Sequence, residues 1–555
     1  MQGYTAHVDT FARDNLPPRD QWPAMVFDLP ELRYPDRLNC GVELLDRVVA
    51  AGHGGRRCLI TPAETWTYAR LMAEANRIAH VLTEDMGVVP GSRVLLRSAN
   101  NPMMVACWFA VMKAGAIAVA TMPLLRAREL AVMIEKARVE FALCDARLAA
   151  ELEAARPAAP TLRTIRYFNG EAPEAREARS APAGLEALAR SKPDTFTAVD
   201  TAAEDVCLIA FTSGTTGVPK GTMHFHRDVL AICDCFPKYV LKPSPDDIFC
   251  GSPPLAFTFG LGGLVTFPMR IGAATVLLEK ATPDALLAQA IQEHRASICF
   301  TSPTGFRAML RLLPEHDASS LRCCVSAGET LPLPTWQAFK DATGIGIIDG
   351  LGATEMLHIF ISAAGDDIRP GATGRPIPGY QACILDEHDA PLPPNHVGRL
   401  AVRGPTGCRY LADHRQSSYV RNGWNITGDA YLMDQDGYFW YQARTDEMII
   451  SSGYNIAGPE VEEALLAHPD VQECAVVGVP DADRGQIVKA FVVLRPGTSA
   501  DATTVKALQD FAKQQIAPYK YPRAIAFMEA LPRTESGKVQ RFRLRELQEP
   551  ERKAS

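Results

Sequence analysis

Apolar and polar positions along the chain alternate between two rhythms. Trp66-Thr67-Tyr68 leads into helical spacing over Ala69–Glu84, and the short apolar run Arg93–Leu96 reads as a strand. Met103–Ala114 is apolar on every side, which predicts a buried helix, and strands are predicted at Ala116–Thr121 and Phe141–Cys144. Helices alternating with short continuous apolar runs predict a parallel sheet covered on both faces. Residues 1–55, rich in Pro, Asp and Arg with one helical patch over Gly41–Ala51, read as a surface wrap. Residues 145–205 carry Ala, Arg, Glu and Pro with few large apolar side chains, so a surface helix and loops are expected there.

In the middle third, apolar runs end in small polar residues. Ile298–Phe300 enters Thr301-Ser-Pro, Cys323–Val325 enters Ser326-Ala-Gly-Glu329, and Ile345–Ile348 enters Asp349-Gly-Leu-Gly-Ala-Thr-Glu355. Ligands of open α/β sheets bind outside the carboxyl ends of the strands, so these segments predict one crevice. After residue 380 the pattern turns all-β, with strands at Ala382–Leu385, Gly398–Arg403 and Tyr438–Tyr441. The tail predicts a helix at Gly458–Leu465, strands near Ala475–Val479 and Ala490–Leu494, a helix at Thr503–Ile516 and a strand at Ala524–Phe527. The expected fold is α/β: a large N-terminal domain, residues 1–445, of βα-layered sheets plus a small β-barrel-like part. A small α+β C-terminal domain, residues 446–555, would follow it.

Bulk properties narrow the classes. A chain of 555 residues is long for one core, and 47% hydrophobic with 22% charged residues is ordinary for a soluble protein. The net charge of −7, with no basic run, gives nucleic-acid binding no electrostatic support. The 14 cysteines have neither zinc-knuckle nor redox-pair spacing, which predicts reduced, mostly buried thiols and a cytoplasmic setting. The start of the chain lacks the basic patch and apolar core of a signal peptide. Met103–Leu125 mimics a membrane span until Lys113 and Gly115 interrupt it, so no membrane association is expected.

The most chemical stretch is Phe211-Thr-Ser-Gly-Thr-Thr-Gly-Val-Pro-Lys220-Gly221. It has almost nothing to bury and much to offer a polyanion: glycines that admit backbone N–H groups, hydroxyl donors, and Lys220. It is not a Walker loop, because Pro219 precedes Lys220 and Gly221 follows it. His224-Phe-His226 has no acidic or cysteine company in sequence, so a strand or helix-entry role is expected rather than metal binding.

This string resembles the nucleotide-binding signature of the acyl-adenylate-forming enzymes. Gly352-Ala-Thr-Glu355, Thr427-Gly-Asp429, Arg444-Thr-Asp446, Ser451-Ser-Gly-Tyr454 and Ser536-Gly-Lys538 resemble the family's further motifs, in its order. The resemblance implies an ATP/AMP site made of Thr212, Ser213, Gly214, Thr215, Thr216, Gly217, Lys220, Gly328, Glu329, Thr330, Asp349, Gly350, Leu351, Gly352, Ala353, Thr354, Asp429 and Arg444. Leu351 stands where many members carry an aromatic residue. Lys538, Glu355 and Thr212 would be catalytic, with Glu355 helping to hold Mg²⁺ through ATP. The hinge would fall at Asp446, and Ser452, Gly453 and Tyr454 would line the CoA tunnel. A hinged lid would bring Lys538 for adenylation and then the Gly453 loop for the thiol. ATP, Mg²⁺ and CoA are thus the expected partners, with no tightly bound cofactor and a homodimer possible.

The acid pocket is expected from Pro254 through Gly262, with Phe257, Thr258, Phe259 and Gly260, and from Ala327, Gly328 and His358. This lining is short, aromatic and glycine-rich, which suits a flat ring better than a long acyl chain. The same segments resemble the benzoate-CoA ligase branch, and the amino-terminal wrap resembles 2-aminobenzoate-CoA ligases. The expected substrate is 2-aminobenzoate, then benzoate. No carrier segment with a phosphopantetheine serine follows Lys538, so free CoA is the expected acceptor; a separate carrier protein remains the alternative. A nucleotide-binding regulatory protein without catalysis is the reading from another class.

Overall fold

The computed structural model describes residues 3–170, 184–212, 219–444, 447–451, 454–481, 484–516, 519–533 and 539–547. Among these, the strands form four sheets. A six-stranded sheet runs in the order Thr164–Phe168, Phe141–Asp145, Arg93–Arg97, Ile117–Thr121, Val206–Thr212, Lys220–Phe225. It is parallel except for its last pair, an antiparallel hairpin. A nine-stranded sheet is parallel through its centre, where Ile348–Gly352, Cys323–Ala327, Ile298–Thr301 and Ile248–Gly251 lie side by side. Its edges are antiparallel.

The helix Pro102–Lys113 lies in the main core with all 12 residues buried, which explains its unbroken hydrophobicity. Asn101 caps it by accepting the Met104 N–H at 3.0 Å, and Pro102 occupies the first turn, where its missing N–H is harmless. Lys113, the charge that interrupts the apolar run, is bonded through Nζ to both oxygens of Asp46 at 2.8 and 2.9 Å. No described helix is long and apolar enough to cross a membrane.

Two expectations are corrected. The amino-terminal wrap contributes Leu32, Leu38, Cys40, Leu44 and Leu45 to the main core, and Asp46 ties it to Lys113 of the central helix. Within 145–205, Thr164–Phe168 is a strand at a sheet edge, and Leu185 and Ala189 are buried. Few apolar residues suffice there, since an edge strand buries only part of its surface.

The all-β region is a five-stranded sheet that includes Gln381–Leu385, Val397–Arg403, Trp424–Met433 and Phe439–Arg444. The last sheet begins at Ile449 and pairs only within the C-terminal part, with Val471–Asp481 against Gly485–Leu494 as its spine. The helix Gly458–Leu466 covers it through Val461 and Leu465. The cysteines are free and, Cys383 apart, buried.

Candidate active site

The strand Val206–Thr212 is buried over its first five residues and turns back as Lys220–Phe225. Thr212 and Lys220 face each other as the last pair of this hairpin before its connecting segment. The connecting residues Ser213, Gly214, Thr215, Thr216 and Gly217 lie outside the described residues. The hairpin geometry bears on the Walker comparison: the chain leaves the loop as a strand, and a helix starts only at His226. Thr212 Oγ1 is buried and has no hydrogen-bond partner among the described residues.

One contact docks this hairpin onto the Glu355 segment and two dock it onto Arg409–Tyr410. His224, fully buried, places Nε2 2.8 Å from the carbonyl oxygen of Thr354. Thr222 bridges to Tyr410, and the Met223 N–H donates to the Arg409 carbonyl at 2.8 Å. His226 starts its helix with Nδ1 accepting the Cys40 N–H at 3.2 Å, and the fold gives it the cysteine company its local sequence lacks, with Cys40 and Cys207 offering sulfur atoms within 4.8 Å.

Lys220, Tyr410 and Glu355 then meet in one polar centre. The Tyr410 hydroxyl donates to Glu355 Oε1 at 2.5 Å and accepts from Lys220 Nζ at 2.9 Å. Lys220 Nζ stands 3.5 Å from the same carboxylate oxygen. Behind them Arg409 and Asp228 form a fully buried ion pair at 2.9 Å. Burial pushes the Asp228 carboxyl up, but Arg409, the nearby His224 and Arg227 together outweigh it and hold the pKa down at about 2.

The ends of the nine-stranded sheet supply the next wall. Cys323–Ala327 ends at Gly328, whose φ of +89° favours glycine. Glu329 accepts from Thr304 Oγ1 at 2.9 Å, and Thr330 is exposed. Asp349, Gly350, Leu351 and Gly352 form the neighbouring strand end, with Ala353 and Thr354 leading into Glu355. Enclosure pushes the Asp349 carboxyl up to about 7, against one stabilising hydrogen bond from the Gly350 backbone. Asp429 and Arg444 are direct cross-strand partners in the five-stranded sheet. Burial first, and then the carboxylates of Asp429 and Asp349, push the Tyr431 phenol up, so both acids lie in its neighbourhood.

Deeper in, His358 is buried in a cage of rings. Its centroid lies 4.5 Å from Phe267, 5.6 Å from Phe259 and 5.8 Å from Phe236. Neither ring nitrogen reaches a partner in hydrogen-bond geometry among the described residues. Burial pushes its pKa down to about 3, opposed only by the Phe259 backbone, so the imidazole is neutral at ordinary pH. Gly262 is what lets the ring lie there: a Cβ would stand 2.3 Å from His358 Cδ2. Phe257, Thr258 and Phe259 are half-buried at the start of a short helix, Gly260 is buried, and Ala327 is buried at its strand end.

The structure thus gathers Thr212, Lys220, Glu355 and the Gly352 segment around the hairpin mouth, and His358 with Phe259 in an apolar cage behind. Lys538, Asp446, Ser452 and Gly453 lie outside the described residues, and Tyr454 is described only as the start of a strand. Sequence reasoning missed Tyr410, Phe236 and Phe267. Tyr410 lies between Arg403-Gly-Pro-Thr-Gly-Cys-Arg409 and Asp413-His-Arg, a mixed polar stretch that carries no local signal for it.

Comparison with known proteins agrees with this geometry. The model of the AMP-binding enzyme family matches residues 46–410, and that of the AMP-binding enzyme C-terminal domain matches 460–538. The chain belongs to the AMP-binding enzyme family. It is 33% identical over 522 residues to a benzoate–CoA ligase of Thauera aromatica, covering 93% of this chain and 97% of the relative. It is 30% identical to a 3-hydroxybenzoate–CoA ligase of Aromatoleum sp. (strain CIB), covering 92% and 97%. The crystal structure of the anthranilate CoA ligase AuaEII in complex with anthranoyl-AMP superposes with a TM-score of 0.87. That match has 33% identity and covers 94% of this chain and 99% of that one. Both family models and both architectural parts agree with the expected α/β fold and its separate C-terminal α+β region.

Proposed function

We propose that this member of the family is an aryl-CoA ligase. It activates an aromatic carboxylic acid with ATP, releasing pyrophosphate, and passes the aryl group from aryl-AMP to the thiol of CoA. The preferred acid is 2-aminobenzoate, then benzoate. The observation that carries this reading is two unlike environments three residues apart in the chain: Glu355 beside Lys220, and neutral His358 in a cage of phenylalanines. A triphosphate needs the first, and a flat ring with one polar substituent suits the second.

The chemistry divides among the residues as follows. A carboxylate attacking the α-phosphorus must overcome the charge of the triphosphate, so cationic and N–H donors have to stand where negative charge gathers. Lys220 and the 213–217 segment clamp the phosphates, with Thr212 at the loop's entry. Asp429 and Arg444 hold the ribose, and the 349–354 segment with Gly328–Thr330 backs the adenine. Glu355 fits a magnesium site: it is a buried carboxylate, its described contacts fall on Oε1, and phosphate oxygens and water can fill the remaining positions. Bound there, Mg²⁺ would neutralise charge on the phosphates.

His358 carries the acid preference. An uncharged imidazole with a free lone pair and an N–H can accept from, or donate to, an amino or hydroxyl group on the ring, while the phenylalanines favour the ring faces. The likeness to the benzoate, 3-hydroxybenzoate and anthranilate ligases supports an aromatic acid. The region after Asp446 acts as a separate lid, bringing Lys538 for adenylation and the 452–454 loop for the thiol. The deciding experiment is ATP–pyrophosphate exchange across benzoate, 2-aminobenzoate, hydroxybenzoates, cinnamates and fatty acids. Exchange greatest with 2-aminobenzoate is expected; exchange confined to fatty acids overturns the aryl reading. Product analysis with CoA against a pantetheinylated carrier protein identifies the acceptor.

A further inference from the structure

We infer that Tyr410 is a positioning residue for adenylation, holding Lys220 and Glu355 apart and aimed so that the site can exchange an internal ion pair for ATP and its metal ion. The proposal rests on the ATP-dependent activity above, and its reasons are geometric. The phenol bridges the two charged groups, donating to Glu355 Oε1 at 2.5 Å and accepting from Lys220 Nζ at 2.9 Å. With both hydrogen-bonding capacities used in opposite senses, the hydroxyl sets which carboxylate oxygen faces the lysine and which is left for a cation. Lys220 Nζ is 3.5 Å from Oε1, longer than a direct charge-assisted hydrogen bond.

The bridge is rigid. Tyr410 is 1% exposed, its N–H is held by Gln416 Oε1 at 2.9 Å, and its ring packs edge-on against Tyr419 at 5.6 Å. Its chain neighbours are stitched to the hairpin that carries Lys220, through Met223 to Arg409 and Leu411 to Gly221, each at 2.8 Å. Lys220 also lies over the Tyr410 ring, 4.9 Å from its centroid. Without the hydroxyl, nothing in this trio prevents Lys220 and Glu355 from closing into a direct pair. MgATP would then have to break that pair to bind.

Tyr410→Phe keeps the ring and removes only the bridge. Pyrophosphate exchange should show the KM for MgATP and the Mg²⁺ concentration for half-maximal rate both raised, roughly tenfold or more given the strength of hydrogen bonds to charged groups. The KM for the aryl acid should stay within about twofold, as should thioester formation from supplied aryl-AMP and CoA, which needs neither ATP nor metal. The thioester rate also counts folded enzyme, so a destabilised variant remains interpretable. Glu355→Gln is the second variant: adding Tyr410→Phe to it should cost less than about twofold more, because without the carboxylate charge there is no ion pair for the hydroxyl to hold open. Equal loss in both half-reactions, an unchanged Mg²⁺ requirement, or additive losses in the double variant would each overturn the proposal. Failure of the aryl-CoA ligase reading itself is distinguishable, since wild-type enzyme would then form no aryl-AMP.

Discussion

At the scale of single residues, His358 decides two measurable properties. It sits within 2.6 Å of where a Gly262 side chain would begin, and Phe236, Phe259 and Phe267 leave it little room to move. Gly262→Ala should therefore displace the imidazole and change the ranking of ring-substituted benzoates by roughly five- to a hundredfold, the scale of overpacking costs. The KM for MgATP should change less than about twofold; pyrophosphate exchange across the acid panel checks both. The same residue makes stability depend on acid. An unfolded chain protonates this imidazole near its ordinary value, whereas the folded chain resists until about 3. Its contribution is full above about pH 6.5 and declines as pH falls toward 3, by at most about 1.4 kcal/mol per pH unit. Urea unfolding at pH 7 and pH 5 should show a smaller acid loss for His358→Phe than for the wild type. His358 was legible in sequence as a pocket residue because it follows Glu355-Met-Leu. Its confinement was not, since Phe236 and Phe267 arrive from distant segments and carry no local motif.

At the scale of elements, the hairpin and its following helix form a frame tied by a buried charge pair. Asp228 caps the Phe225 N–H at 3.1 Å from the first turn of the helix His226–Phe236 and pairs with Arg409. Arg409 immediately precedes Tyr410, so the pair fixes the helix, the hairpin and the polar centre together. Asp228→Asn leaves a buried guanidinium uncompensated, and a loss of about 3–5 kcal/mol is expected in chemical unfolding at pH 7. Because the folded carboxyl titrates near 2, this stabilisation is full above the unfolded value near 3.9 and is lost as pH falls through about 2. The difference between wild type and variant should therefore shrink on acidification. Elsewhere in the chain, elements could be read from periodicity: the predicted helix Met103–Ala114 is observed at Pro102–Lys113, and the strand Ala116–Thr121 at Ile117–Thr121. The edge strand Thr164–Phe168 and the anchored wrap could not, because edge pairing and the Asp46–Lys113 contact are long-range and leave no local pattern.

At the scale of the whole molecule, two chemistries must share one carbon atom. Adenylation needs a cation beside the attacking carboxylate and the α-phosphate; thioester formation needs that space cleared for a thiol. Among the described residues, the sheet that starts at Ile449 pairs only within the C-terminal part and shares no strand with the other sheets. A body connected this way can present one face and then another without breaking strands, the mechanical requirement for a two-step lid. Lys538→Ala should reduce pyrophosphate exchange by at least about a hundredfold, as expected for removing a charge that acts on the transition state. Thioester formation from supplied aryl-AMP and CoA should persist within a few-fold. Gly453→Leu should do the reverse, since a side chain there would narrow the thiol's path while leaving the adenylation face intact. Single-turnover assays of the separated half-reactions discriminate these outcomes. A lid that works by alternation requires the two variants to fail in opposite halves; if both lose both halves together, the C-terminal part serves one conformation and the alternation is wrong.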